Sequence, residues 1–223
     1  MKRFRCKAIL FDLDGVLVDS TPCVEKHWRM WAQQHSLDVN EILKISHGRP
    51  TVETVRLVAP HLCAEAEAKQ LDQSEAEDMS GVFEVDGAAN LLSSLPPMNW
   101  AVVTSGNRAI ATNRLRHTGL PLPQVLVTAD DVKQGKPHPE GYLKAASQLG
   151  VAPEHCVVIE DALAGIQAAR AANICVIAVA TTYSAAELSA SDICVPTLLD
   201  ISISQVNPFN SDATCLEIVA SDR

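Results

Sequence analysis

Long apolar runs and basic clusters are both missing from this chain of 223 residues. No stretch of about 18 apolar residues occurs, so the sequence predicts no membrane-spanning helix. The net charge is −9 at pH 7, and no group of Lys and Arg residues offsets it, which argues against nucleic acid or an anionic membrane as a partner. The N-terminal MKRFRCKAIL is basic and then apolar, but the run is short and leads into aspartates. We therefore expect a buried first strand there, no leader peptide, and a cytoplasmic protein.

Cysteine pairs and nucleotide-binding loops are missing as well. The seven cysteines are odd in number, include no CxxC and mostly lie in apolar stretches. This pattern favours reduced core thiols over disulfides or a zinc site. No GxGxxG occurs, and GKP at 135–137 is not a Walker loop, because residue 130 is Asp and Pro137 follows the lysine. These absences exclude the commonest dinucleotide and nucleoside triphosphate sites.

Short apolar runs alternate with helical stretches through most of the chain. The runs that read as strands are 7–11, 100–104, 124–128, 156–160 and 174–179, and the helices between the later ones are predicted at 107–117, 139–149 and 162–172. Strands that are buried on both faces and separated by helices are typical of a parallel sheet. The predicted fold class is therefore α/β, a Rossmann-like parallel sheet core with helices on both faces. Near the C-terminus, two strands or a hairpin are predicted for ISISQV and CLEIVA, which flank NPFNSDAT.

Residues 18–86 interrupt this alternation with helical patterns. VEKHWRMWAQQHSL, for example, has apolar residues at close to helical spacing. The α/β alternation resumes only near Gly87. We therefore predict an all-helical domain at 18–86 that is inserted into a discontinuous α/β domain made of 1–17 and 87–223.

Acidic residues stand at the ends of the first and fourth predicted strands. FDLDGVLVDS places Asp12 and Asp14 after the first strand, two residues apart, so both side chains leave on the same side. Two unit charges about 4 Å apart cost roughly 4 kcal/mol at an effective dielectric constant of 20. Glu160 and Asp161 end the fourth strand and add to this cost, because strand ends share one edge of a parallel sheet. An all-oxygen site of this kind suits Mg²⁺. A simple Asp-Gly turn is the alternative for the first motif, and a helix cap is the alternative for Asp161.

Polar residues also follow the second and third predicted strands. VVTSGN places Thr104, Ser105 and Gly106 before a helix, whose free backbone N–H groups can bind phosphate oxygens. Lys136, in QGKPHP, follows the third strand and would bring positive charge to the same edge. An ordinary helix cap is the alternative for Thr104 or Ser105, and a solvated surface charge is the alternative for the lysine.

In this order, FDLDGVLVDS, VVTSG, QGKPHP and VIEDALAGI resemble the four motifs of the haloacid dehalogenase-like hydrolases. The motifs span residues 9–166. The helical insertion directly after the first motif resembles the C1 cap domain of that superfamily. Each motif is weak by itself, but their joint occurrence in the right order is specific.

The resemblance implies an enzyme with a phosphorylated intermediate. It makes Asp12 the nucleophile that forms an aspartyl-phosphate, and Asp14 the general acid/base. It implies Mg²⁺ as cofactor, and the residues that would hold the ion are Asp12, Asp14 through its backbone carbonyl, Asp161 and, directly or through water, Glu160. The groups that would bind the phosphoryl oxygens are Thr104, Ser105, Gly106 and Lys136.

Within the superfamily the chain resembles the sugar and polyol phosphatases, of the 2-deoxyglucose-6-phosphatase, glycerol-3-phosphatase and hexitol phosphatase types. DSTPCVEKHW and SHGRPTVETV carry this resemblance. It implies a small phosphorylated metabolite as the partner and a monomer as the oligomeric state. The candidates for substrate specificity in the inserted domain are Glu25, His47, Gly48 and Arg49.

The β-phosphoglucomutases share all four motifs and are the alternative. They resemble this chain through DGVLVDS and the tryptophan at position 28. Their inserted domain carries a histidine that helps to control hydrolysis of the aspartyl-phosphate, whereas an ungapped count places Val24 at that position here. His27 is three residues away and would lie on another part of the helix surface. We therefore favour the phosphatase.

Overall fold

The computed structural model describes residues 1–206 and 215–222 of the chain. The strands are β1 (Lys2–Cys6), β2 (Ala8–Phe11), β3 (Val18–Asp19), β4 (Phe83–Glu84), β5 (Trp100–Val103), β6 (Val125–Val127), β7 (Cys156–Glu160), β8 (Cys175–Val179), β9 (Ile193–Val195), β10 (Ile201–Val206) and β11 (Cys215–Ala220). The α-helices are α1 (Thr21–His35), α2 (Val39–Ser46), α3 (Thr51–Val58), α4 (Ala64–Glu77), α5 (Ala88–Ser93), α6 (Arg108–His117), α7 (Glu140–Gln148) and α8 (Leu163–Ala171). Single turns of 3₁₀ helix lie at Pro97–Asn99, Ala129–Asp131, Pro153–His155 and Leu198–Asp200.

Six strands form a parallel sheet in the order β6-β5-β2-β7-β8-β9. The chain builds one side of the sheet with β5 and β6 and then crosses β2 to build the other side. This reversal of the strand order at β2 opens a crevice at the carboxyl ends of the strands, which is where ligands bind in sheets of this kind. The predicted α/β class is confirmed.

Side chains of each central strand alternate between two hydrophobic layers. In β2, Ile9 and Phe11 pack into the layer that α5 and α6 cover, and Ala8 and Leu10 pack into the layer that α7 and α8 cover. Strands covered on both faces must be apolar throughout, which explains why these runs show no polar alternation. The five predicted strands and three predicted helices of the α/β part are confirmed to within about two residues at each end.

The structure also contains strands that the sequence patterns did not indicate. KRFRC forms β1, which pairs antiparallel with β11, and β11 in turn pairs with β10. The pattern of exposed and buried residues in β1 alternates, with Phe4 and Cys6 buried. Five alternating residues beside a basic terminus are a weak strand signal, and their partner lies some 200 residues away. The two predicted C-terminal strands are confirmed as β10 and β11, and the segment NPFNSDAT between them lies outside the described residues.

Helices α1 to α4 surround a hydrophobic cluster of their own. Trp28 and Trp31 of α1 meet edge to face there and pack against residues of the other three helices, such as Val55 and Leu71. The chain enters and leaves this part through β3 and β4, which pair antiparallel with each other. The exact division at residues 17/18 and 86/87 stays a prediction.

No helix within residues 1–206 and 215–222 is long and apolar enough to cross a membrane. All seven cysteines lie within those residues and are free thiols. Three of them, Cys6, Cys23 and Cys156, are buried.

Candidate active site

The carboxyl ends of β2, β5 and β7 meet at one edge of the sheet, beside the crevice described above. Asp12 follows β2, Thr104 follows β5 and Asp161 follows β7. All three side chains are buried, and Asp14 lies half-buried beside them. The structure thus brings together the polar strand ends that the sequence analysis placed at a common edge.

Lys136 lies between two carboxylates rather than in solvent. Its Nζ is 2.8 Å from Asp12 Oδ1 and 2.6 Å from Glu160 Oε1, and the residue is only 5% exposed. Burial alone would lower the pKa of Lys136, but the charges of Asp12 and Glu160 outweigh it and raise that pKa above its ordinary value. The ammonium therefore stays protonated, and the alternative of a solvated surface lysine is excluded.

Glu160 is fully satisfied by this chain. Oε1 accepts from Lys136 Nζ and from the Tyr142 hydroxyl at 2.9 Å, and Oε2 accepts from the backbone N–H groups of Asp161 and Ala162 at 2.9 Å each. These four bonds use all the acceptor positions of a carboxylate. A Cβ on Gly165, in α8, would collide with Glu160, so glycine makes room for this acid. Glu160 therefore binds the ammonium of Lys136 and has no free acceptor position for a metal ion.

Asp161 differs from Glu160 in having an unused oxygen. The Thr182 hydroxyl donates to Oδ2, whereas Oδ1 is buried and has no hydrogen-bond partner among the described residues. Burial, followed by the charges of Glu160 and Asp12, raises the pKa of Asp161 well above its ordinary value. Gly15 lies against this carboxylate with φ +81°, and any Cβ there would collide with it. The glycine of the first motif therefore permits the close approach between the Asp12–Asp14 loop and the end of β7.

An oxygen-rich group at this edge could hold a metal ion. One carboxylate oxygen each from Asp12, Glu160 and Asp161 lie within 4.8 Å of one another. Because the acceptor positions of Glu160 are already occupied, the oxygens available to an ion are those of Asp12 and Asp161. The unpaired, buried Oδ1 of Asp161 fits a cation, and carboxylate oxygens are what hard divalent cations prefer.

Asp14 is held by three side chains. Its Oδ1 accepts from Ser20 Oγ at 2.7 Å and from Arg114 Nη1 at 2.6 Å, and its Oδ2 accepts from Thr104 Oγ1 at 3.4 Å. Its carboxylate is not part of the acidic group formed by Asp12, Glu160 and Asp161.

The segment after β5 presents its polar groups to the same place. Thr104 Oγ1 accepts from the N–H of Gly106 at 3.0 Å, and Ser105 Oγ donates to the carbonyl of Gly48 at 2.9 Å. The cap of α6 is Asn107, whose side chain accepts from the N–H of Ile110 at 2.9 Å. Capping by Thr104 or Ser105 was the alternative in the sequence analysis, and it is excluded because Asn107 performs this role.

The loop between α2 and α3 closes over the site. His47, Gly48 and Arg49 line a cavity of about 90 Å³, together with Val24 and Trp28 of α1. Glu25 lies outside this cavity, where its Oε2 accepts from Arg29 at 3.0 Å. A second cavity of about 260 Å³, which Lys136 lines, shares Thr104 and Ser105 with it.

Sequence reasoning missed two charged residues that line the cavity. Arg114 of α6 bridges Asp14 and Glu75 of α4, and both residues of this second pair are buried. The signal for Arg114 was its position four residues after Ile110, within the buried face of α6. Glu75 has the same kind of signal, because it lies four residues after Leu71 on the buried face of α4, but the many other acidic residues of that helix obscure it.

This chain is similar to known hydrolases in sequence and in fold. The family model for haloacid dehalogenase-like hydrolases matches residues 6–173. Hexitol phosphatase A of Escherichia coli (strain K12) is 42% identical over 206 residues, which cover 90% of this chain and 95% of that protein. Glycerol-1-phosphate phosphohydrolase 2 of Saccharomyces cerevisiae is 37% identical over 191 residues, covering 80% and 76%. Among solved structures, a hydrolase from Pseudomonas syringae superposes with a TM-score of 0.77 at 27% identity, covering 87% of this chain and 95% of that one.

Proposed function

Because the chain belongs to the haloacid dehalogenase-like hydrolases and is a phosphoric monoester hydrolase, we propose that it hydrolyses small sugar or polyol phosphates with Mg²⁺ through a phosphorylated Asp12. The observation that carries this proposal is the position of Asp12. It lies at the carboxyl end of β2, 2.8 Å from the buried ammonium of Lys136 and beside Asp161, which has an unused oxygen. This arrangement lets a carboxylate approach a phosphate dianion.

Asp12 and Asp161 would hold Mg²⁺ with carboxylate oxygens, and the backbone carbonyl of Asp14 is the further ligand that family resemblance supplies. When bound, Mg²⁺ supplies positive charge that offsets repulsion between the attacking carboxylate and the phosphate. Lys136 adds a second positive charge at the same place, and Glu160 keeps it oriented.

The chain's own residues then divide the reaction into two steps. Asp12 attacks phosphorus while Asp14 gives a proton to the departing oxygen, so the P–O bond to the alcohol breaks and an acyl phosphate forms on Asp12. In the second step Asp14 takes a proton from water, the water oxygen bonds to phosphorus, and the Asp12 carboxylate is released. Thr104, the backbone N–H groups that follow it and Lys136 bind the phosphoryl oxygens in both steps.

Polar atoms without partners support a hydroxyl-rich substrate. Ser46 Oγ and His47 Nε2 are buried at the cavity and have no hydrogen-bond partner among the described residues. Arg49 lines the same wall. Buried polar groups are normally satisfied, so a ligand with several hydroxyl groups is the natural complement. The named activities of the two curated relatives, on hexitol and glycerol phosphates, point to the same class of substrate.

Phosphatase is favoured over mutase by the residue at position 24. Val24 lines the cavity at the place where the mutases are expected to carry their histidine. His27 is turned away from it and lies 3.2 Å from Asp78 Oδ2. The side chain of Val24 has no polar group to restrain hydrolysis of the phosphorylated aspartate, so the second step is expected to yield free phosphate.

The purified protein is expected to release phosphate from sorbitol 6-phosphate, glycerol 1-phosphate or 2-deoxyglucose 6-phosphate in Mg²⁺ and to lose this activity in EDTA. Comparing kcat/KM over this panel identifies the preferred substrate. A parallel reaction with β-glucose 1-phosphate and a trace of the bisphosphate tests the mutase. Glucose 6-phosphate formed faster than free phosphate, or no phosphate from any ester, contradicts the proposal.

Mg²⁺ is expected to stabilise the fold more at neutral than at acidic pH. Burial, then the charge of Glu160, raises the pKa of Asp12 from 3.8 to about 7 in the metal-free protein, although Lys136 opposes this. Between about pH 4 and pH 7 the folded state therefore holds a proton that the unfolded chain has lost, and metal-free stability falls as pH rises through that interval. Because Mg²⁺ binds the ionised carboxylates, its stabilising effect should grow over the same interval.

Thermal melts in Mg²⁺ and in EDTA, at both ends of this pH interval, measure the effect. NaCl at matched ionic strength controls for charge screening. A Tm increase from Mg²⁺ that is equal at the two pH values, or larger at the acidic one, contradicts this prediction.

A further inference from the structure

Arg114 is a buried cation at the edge of the active-site cavity. It lies on α6 and is 2% exposed. Its Nη1 donates to Asp14 Oδ1 at 2.6 Å, and its Nη2 donates to Glu75 Oε2 at 3.0 Å. One guanidinium therefore joins the residue that we assign as general acid/base to a carboxylate on α4, in the inserted helical part.

Stability alone is a poor explanation for this arrangement. The desolvation cost of a buried ionic group is comparable to the attraction that it gains, and apolar side chains of similar volume often serve as well. The neighbouring buried positions of α6, Ile110, Ala111 and Leu115, are indeed apolar. The arginine at this position is therefore better explained by the hydrogen bonds that its planar guanidinium donates than by the volume that it fills.

The hydrogen bonds distinguish the two oxygens of Asp14. Oδ1 accepts from Arg114 and, at 2.7 Å, from Ser20 Oγ, and these bonds use both of its acceptor positions. Oδ2 faces Thr104, whose Oγ1 lies 3.4 Å away in the segment that would bind phosphate. A proton on this carboxyl group is therefore directed to Oδ2, the oxygen on the side of Thr104.

Glu75 connects this arrangement to the position of α4. It is 6% exposed, and its contact with Arg114 is reinforced by a neighbouring hydrogen bond from Asn113 Nδ2 to the carbonyl of Ala76 at 2.8 Å. Both contacts join α4 to α6. Movement of α4 away from the sheet would take Glu75 away from the guanidinium.

We propose that Arg114 is the positioning residue for Asp14: it holds Oδ1 so that Oδ2 delivers the proton to the leaving oxygen, and Glu75 makes this orientation depend on α4 lying against α6. The inference rests on the proposed role of Asp14 as general acid. It adds a condition to that role, since the acid is oriented for catalysis only when the helical part is closed.

Phenyl phosphate and p-nitrophenyl phosphate provide the test. They are similar in shape and carry no hydroxyl chain, so any direct contact of Arg114 with a sugar does not affect the comparison. Nitrophenolate leaves readily without a proton, whereas phenolate leaves better when an acid protonates it. The kcat/KM value reports the steps up to departure of the phenol, so the ratio of the two kcat/KM values measures the acid.

Arg114→Met is expected to lower kcat/KM on phenyl phosphate, relative to p-nitrophenyl phosphate, by roughly 10- to 100-fold, because a misoriented acid loses its effect. Arg114→Lys keeps the charge but lacks the planar fork, so its ratio should lie between those of the wild type and Arg114→Met. Arg116→Met is the matched control. Arg116 is exposed on the same helix, and its variant should keep the wild-type ratio.

Variants of Glu75 keep the test decisive if Arg114→Met does not fold. Glu75→Gln should lower the same ratio, but by less than Arg114→Met does, and Glu77→Gln, an exposed position on α4, should leave it unchanged. The double variant Arg114→Met/Glu75→Gln leaves no unpaired charge at position 75. Its ratio should equal that of Arg114→Met alone, because the two residues act through one contact. Circular dichroism melts establish that each variant is folded.

Two results would overturn the inference. An equal loss on both aryl phosphates, in folded Arg114→Met or in Glu75→Gln, leaves Arg114 as a structural residue. An unchanged ratio together with a raised KM for sorbitol 6-phosphate makes it a substrate-binding residue instead. Failure of the proposed function looks different: the wild type would hydrolyse neither ester, or Asp14→Asn would keep the wild-type ratio.

Discussion

Replacing Asp12 by asparagine is expected to lower kcat by about 10⁶-fold, the order of magnitude seen when other covalent nucleophiles are removed. The loss should be large for alkyl and aryl phosphates alike, because every ester needs the same nucleophile whatever its leaving group. An amide oxygen is neutral and neither attacks phosphorus nor contributes a charge to Mg²⁺. Steady-state kinetics on sorbitol 6-phosphate and on p-nitrophenyl phosphate measure the effect.

The fold should survive this substitution, which makes the result interpretable. Asparagine has nearly the volume of aspartate, and Lys136 retains its 2.6 Å contact with Glu160. Asp86→Asn is the matched control, since Asp86 is exposed and does not line the active-site cavity. Mass spectrometry of acid-quenched enzyme should find a phosphoryl group on the Asp12 peptide of the wild type alone. Wild-type-like turnover by Asp12→Asn, or a phosphoryl group elsewhere, contradicts the assignment of the nucleophile.

Asp14→Asn is expected to lower kcat/KM for alkyl phosphates by roughly 10²- to 10⁴-fold, the usual contribution of a general acid. The loss on p-nitrophenyl phosphate should be much smaller, because its leaving group needs little protonation. Asparagine cannot donate a proton from an acid of suitable strength, but it can keep the contacts of Asp14 with Ser20 and Thr104. Binding of metal and phosphate should therefore persist.

The second step gives Asp14→Asn an additional signature. Without a base to take a proton from water, the phosphorylated enzyme should accumulate. Rapid mixing with p-nitrophenyl phosphate should then show a burst of nitrophenol equal to the enzyme concentration, followed by slow turnover. Asp86→Asn again serves as the control. An equal loss of kcat/KM on alkyl and aryl esters, with no burst, would show that Asp14 is not the acid/base.

Much of the α/β part could be predicted because its signals are local. Strands such as CVVIE are apolar at every position, since helices cover both faces of the sheet, and the helices between them have clear start and stop residues. The short strands were missed for the opposite reason. β3 and β4 have two residues each, and β1 is stabilised by a partner from the other end of the chain. Nothing within those few residues distinguishes them from a loop.

For the active site, too, local sequence patterns predicted some features, and only the folded structure showed the others. Asp12, Thr104, Glu160 and Asp161 could be placed together because each directly follows a strand or ends one, and parallel strands end at one edge. Glu160 shows the limit of that rule. The sequence suggested a charge that needs a metal ion, whereas in the folded chain Lys136, Tyr142 and two backbone N–H groups satisfy it. Proximity was predictable, but the partner of each oxygen was not.

By itself, the sequence determined the α/β class and which polar groups stand at the strand ends, because both follow from patterns within a few residues of each other. Only the tertiary structure decided that Arg114 joins Asp14 to Glu75, that Glu25 lies outside the cavity and that Val24 lies in its wall. These outcomes depend on how the helical part packs against α6 and the loops of the sheet. Such packing is set by many weak contacts between distant segments, and no local pattern of residues encodes it.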